Sequence, residues 1–168
     1  MLSVNNTDPD DERRLEMIVA NIENITTSEV DRITDEINKY QPLMISLIMA
    51  YYKDFGNSIV FGELIKNTLM IWMYFKDYEG VKKKSLTEKR FNKRLFEIVD
   101  FFTYLDGSSE EEKHKMIVDD FSNMKNKMLM YRILETFKNN THLSKLTITQ
   151  KNELIIESRC LIESLAEV

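Results

Sequence analysis

The sequence predicts an all-α fold, a single compact bundle of seven or eight helices around a buried central helical hairpin, on three observations. Apolar residues recur three and four apart along nearly the whole chain, as they do when one helix face after another is buried. Glycine and proline number only four and two among 168 residues, too few to punctuate a many-turned β architecture. Several apolar stripes also open behind a Ser or Thr followed three residues later by Glu or Gln, which is how a capping box reads in sequence.

The first helix begins at Asp8, with Pro9 in the first helical position, where a missing N–H costs nothing. Asp10, Asp11 and Glu12 favour the positive end of its dipole, and Leu15, Ile18, Val19 and Ile22 mark its inner face. Residues 1–7 are polar and stand outside it as a disordered lead-in. A second helix follows Thr27, with Val30, Ile33 and Ile37 inward. It stops before Pro42, because the residue ahead of a proline is pushed out of helical geometry.

From Leu43 to Phe55 the chain is apolar nearly all round, which predicts a buried helix, with Gly56 as its left-handed cap. Asn57 or Ser58 then caps a helix running to about Asp77, with Phe61, Leu64, Ile65, Thr68, Trp72 and Phe75 along one stripe. These two form the expected central hairpin. A connector, 78–84, leads to Ser85-Leu-Thr-Glu88, a capping-box pattern ahead of a helix with the stripe Phe91, Leu95, Ile98, Phe102 and Leu105. Phe96, Phe101 and Tyr104 make that helix apolar on more than one side. Gly107 ends it, and Ser109 with Glu112 opens the next. Periodicity leaves open whether that helix breaks near Asn126 or continues to Phe137. After a loop at 139–143, Thr147 with Gln150 caps the last helix, with Leu154, Ile155, Leu161, Ile162 and Leu165 inward.

Composition narrows the class. Hydrophobic content of 43% beside 30% charged residues is ordinary for a globular chain, and this length buries a sizeable core without staples. No internal repeat or low-complexity linker divides it, so 1–168 reads as one domain. The single Cys160 forms no internal disulfide and no zinc site, and reads as a small buried residue in a reducing, cytoplasmic setting. The most apolar stretch is interrupted by Lys53, Asp54, Glu63 and Lys66. It falls short of the roughly 20 apolar residues a membrane span needs.

Catalytic motifs are scarce. Glu111 and His114 share the Glu-x-x-His spacing of di-iron bundles, but those use two such pairs, and the residue three before His142 is Asn139. The pair therefore reads as a solvated helix start, and no metal or cofactor is implied. Four scattered glycines make neither a phosphate loop nor a dinucleotide fingerprint.

Three candidate features remain. The formal charge is −5, yet Glu79–Arg94 holds seven basic residues against two acidic, leaving 16 basic against 26 acidic elsewhere. Lys82, Lys83, Lys84, Lys89, Arg90, Lys93 and Arg94 could neutralise phosphates of a nucleic acid or other polyanion, though the acidic body opposes it and no recognition helix is evident. Tyr51, Tyr52, Trp72, Tyr74 and Phe75 could line an apolar ligand pocket, or simply fill the core. The surplus apolar surface of the helix beginning near Thr87, and the methionines at 124, 128 and 130, suit a protein partner or self-association, including a homodimer. The leading expectation is a non-enzymatic interaction or regulatory module. Small-ligand binding comes next and polyanion binding third.

Overall fold

A computed structural model describes residues 9–168, and among them there are nine α-helices, one 3-10 turn and no strand. In order these are α1 (Pro9–Glu23), α2 (Thr27–Tyr40), α3 (Pro42–Phe55), α4 (Ile59–Phe75), α5 (Glu79–Lys83), α6 (Glu88–Asp106), α7 (Glu110–Asn123), α8 (Lys127–Asn139), the 3-10 turn (Leu143–Lys145) and α9 (Ile148–Ala166). The expectations for residues 1–7 and for Asp8 as a cap lie outside the described residues.

Local chemistry sets most of the boundaries. Thr26, Ser109 and Thr147 each accept a hydrogen bond from the backbone N–H three residues on, while Glu29, Glu112 and Gln150 reach back to them. Each box satisfies two helix-start donors reciprocally. Gln41 lies between α2 and α3, with Pro42 opening α3 at N1. Gly56 closes α3 at φ 59° and ψ −153°, a conformation that side chains with a Cβ avoid.

The core forms around α4. Leu69, Ile71, Trp72, Tyr74 and Phe75 are all at most 2% exposed, and burying each such side chain favours folding by about 1.5–3 kcal/mol. Helix α1 packs on one side of α4 and α3 on another, α6 lies along α9, and α8 bridges α9 and the 3-10 turn. One contiguous apolar cluster joins Leu15 of α1 to Leu165 of α9.

The all-α bundle and the α3–α4 hairpin agree with the sequence pattern, while four details differ. The helix count is nine, because residues 79–83 coil into α5 and the uncertain stretch breaks at Met124–Asn126. The glycine inside α5 is there for contact: a Cβ on Gly80 would sit 2.7 Å from the backbone of Val168. Helix α2 is capped by Thr26 rather than Thr27. Helix α6 is capped by Thr87 rather than Ser85, because Ser85 donates its hydroxyl to the Tyr40 carbonyl instead. And α3 buries Met44, Ile48 and Tyr51 but leaves Met49 and Tyr52 exposed; it covers the edge of α4 rather than lying inside.

Candidate functional site

The basic segment is folded onto the chain's own acceptors. Lys82 faces Glu36 of α2 at 3.8 Å, Lys83 pairs with Glu79, and Lys93 reaches Glu97 at 3.9 Å. Arg94 meets Glu97 at 3.0 Å and Glu163 at 3.8 Å, and also pairs with Glu167. The hydrogen bond it donates to Glu167, with Glu97 and Glu163 nearby, holds the Arg94 guanidinium above its ordinary pKa. Arg90 donates to the Glu167 carbonyl at 3.1 Å. This explains two cations in the first turns of α6, where the local dipole opposes them. They serve the C-terminal end of α9, where exposed carbonyls favour positive charge. Lys84 and Lys89 are solvent-exposed.

The five aromatics do not converge on one cavity. Trp72 stacks on Tyr40 with ring centroids 6.4 Å apart and donates its indole N–H to Glu36 at 3.4 Å. Tyr74 donates its hydroxyl to Asp11 at 2.8 Å, while Arg14 of α1 donates to the Tyr74 carbonyl at 2.7 Å. Phe75 is fully enclosed. Tyr52 lies on the surface, edge-on to Phe61. Tyr51 borders a cleft of about 260 Å³ between α3 and α9, with Asp54, Glu153 and Glu157. Burial raises the pKa of the Tyr51 hydroxyl and also that of the Glu157 carboxyl beside it.

Helix α6 shows a continuous outer face. Phe91, Ile98 and Leu105 are buried on one side; at 3.6 residues per turn Phe96 lies about 160° away, with Val99 and Tyr104 flanking it on either side at about 100° and 120°, and Phe96 is 71%, Tyr104 67% and Val99 44% exposed. Lys89 and Lys93 share this face in its N-terminal half and Asp100 in its C-terminal half. A helix rarely leaves two large aromatics in water without something to cover them.

A cleft of about 340 Å³ opens between α1, α4 and α8. Val19, Ile22 and Met70 give it an apolar wall, and Asn67 and Arg132 line it as well. At its rim Glu63 is clamped, accepting from Lys66 at 3.0 Å and from Asn140 at 2.9 Å. Arg132 donates from Nη1 to Glu135 at 2.8 Å. Asn67 is 5% exposed and its Nδ2 has no partner, and Arg132 Nε is buried without one too. Sequence reading missed Asn67 and Arg132. The available signal was position: Asn67 stands three residues after Leu64 and four before Ile71, on the buried stripe of α4.

Glu111 and His114 are both solvent-exposed. Among the described residues, no group of three or more His, Cys, Asp and Glu could hold a metal, and no helix is long and apolar enough to cross a membrane. No family model, curated protein or solved structure matches the chain. Fold and sites thus define an all-α helical bundle with one exposed aromatic helix face and one polar-floored cleft.

Proposed function

We propose that this chain is a non-enzymatic helical interaction module, one domain over 1–168, that pairs with a second copy of itself through the outer face of α6. The carrying observation is the exposure of Phe96, Val99 and Tyr104 along one side of that helix. Charge on the same face selects the occupant. Lys89 and Lys93 lie in its first half and Asp100 in its second, so an antiparallel pairing about Phe96 and Glu97 sets unlike groups against each other. Lys93 then approaches Asp100 of the second copy and Lys89 approaches Tyr104, each contact made twice by symmetry. A parallel pairing would set Lys93 against Lys93.

One helix face per copy gives an interface at or below the low end of the roughly 1,200–2,000 Å² of stable complexes, so association is expected at about micromolar strength. A cytoplasmic, reducing setting accords with the single unpaired thiol, Cys160. Sedimentation equilibrium tests the pairing. The wild type should pass from 19.9 kDa to twice that mass with rising concentration, while Phe96→Glu stays monomeric. Lys93→Glu should weaken the dimer and the added Asp100→Lys should restore it. A wild type that stays monomeric at every concentration, or a charge swap without rescue, would overturn this reading.

A further inference from the structure

We infer that Glu97 restrains the self-association of α6 from inside the interface and keeps the pairing weak and exchangeable; this rests on the antiparallel pairing proposed above. At 3.6 residues per turn, Lys93, Asp100, Tyr104 and Glu97 lie about 60°, 40°, 80° and 100° round the helix from Phe96, all toward the same flank. All four are exposed. Glu97 therefore belongs to the face that a second copy covers.

Two effects of that one carboxylate oppose pairing. It competes for Lys93, whose ammonium stands 3.9 Å from Glu97 on its own helix and is the group that Asp100 of a second copy needs. The hold is loose, because lysine four residues ahead of glutamate is the less favourable order and the Lys93 side chain is 79% exposed. Glu97 thus competes with the second copy without excluding it. Symmetry supplies the other effect. The two-fold axis of an antiparallel pair centred on Phe96 and Glu97 passes beside both, and a residue next to such an axis faces its own copy. Phe96 against Phe96 is a favourable aromatic contact, whereas Glu97 against Glu97 sets like charges together. Arg94 meets this carboxylate at 3.0 Å but is shared with Glu163 and Glu167, so the charge is only partly offset. Repulsive elements of this kind tune how strongly a natural interface holds.

Glu97→Gln keeps the size of the side chain and removes both effects, so sedimentation equilibrium on the full chain reads the inference directly. The variant should dimerise about fivefold more tightly than the wild type, as two freed lysines and one relieved like-charge contact would give. In a Lys93→Met background the same change should gain only about twofold, since the contact across the axis alone is left. At about 1 M salt the variant and the wild type should converge. A wild type that dimerises with a strength Glu97→Gln leaves unchanged or weakens would overturn the role of Glu97 and leave the pairing standing. An undiminished gain in the Lys93→Met background would overturn the competition for Lys93. Wild type and variant both monomeric at every concentration would overturn the pairing itself, and this inference with it.

Discussion

Arg159 of α9 grips Asp120 of α7 through two parallel hydrogen bonds, Nη1 to Oδ2 at 2.6 Å and Nη2 to Oδ1 at 2.9 Å, while its Nε donates to Glu163 at 2.8 Å. Burial works to lower the Arg159 pKa, but its hydrogen bonds to Asp120 and Glu163 outweigh it and leave it raised. Helix α7 buries only Phe121, so this fork is a main tie to the bundle. Asp120→Ala should therefore cost about 1–3 kcal/mol in urea unfolding, below the range for fully buried pairs because Asp120 is part-exposed. Amide exchange should quicken in residues 110–123 before anywhere else. Uniform quickening across all nine helices would contradict the assigned role.

Gln41 is fully buried, and its side chain makes three hydrogen bonds. Its Nε2 donates to the carbonyls of Val81 at 2.6 Å and Lys84 at 3.0 Å, and its Oε1 accepts from the Leu86 N–H at 2.7 Å. Gln41→Leu strands all three backbone groups and should destabilise the fold by about 2–4 kcal/mol. A loss under about 0.5 kcal/mol in chemical denaturation would mean that water replaces the amide readily.

Cys160 is 0% exposed, and burial pushes its thiol up to about 12, more than the Ser164 contact pulls it back. The thiolate is the reactive form. Native protein at pH 8 should resist a disulfide-exchange reagent and react fully once unfolded in guanidinium. Rapid native labelling would show that α6 and α9, which enclose the sulfur through the Phe91 carbonyl at 3.3 Å, separate often.

Glu157 has a raised pKa because burial opposes its charge, against the lowering pull of the Tyr51 hydroxyl, with Glu153 and Asp54 repelling it further. For an acid whose folded pKa lies above the unfolded one, the folded state binds the proton first. Its contribution to stability therefore grows as pH falls through that window and is lost as pH rises. Glu157→Gln should melt roughly a few degrees higher than wild type at pH 7, and the gap should close toward pH 4. A gap independent of pH would point to packing rather than charge.

Helix existence was legible wherever a cap stood ahead of a stripe, as at Ser109 and Thr147, because cap and periodicity are both local. Ser85 misled for the opposite reason. It matches the capping-box pattern with Glu88, but tertiary contacts with Tyr40 and Gln41 hold 85–86 outside the helix and pass the cap to Thr87. The exposure of Met49 and Tyr52 was equally hidden, since a helix apolar all round does not say which side meets its neighbours. The basic run and the surplus aromatics of α6 were visible as composition. That Arg90 and Arg94 cap α9 was not, because their partner Glu167 lies more than seventy residues away. Asn67 and Arg132 come together from two helices, and no pattern within either one brings them together.

The amide of Gln41 also decides how the lysines at 82–84 present their charge. A cationic tail on a loose linker samples every direction, and its field averages toward a featureless cloud. Here the backbone carrying those ammonium groups is pinned at both Val81 and Lys84 to a residue sealed inside the bundle. Lys82 and Lys83 meet Glu36 and Glu79 from that fixed backbone, so cation and carboxylate keep a constant register that turns only when the whole body turns. A glutamine that carries no charge thereby fixes where charge sits, and loosening it would unsettle ion pairs it never touches.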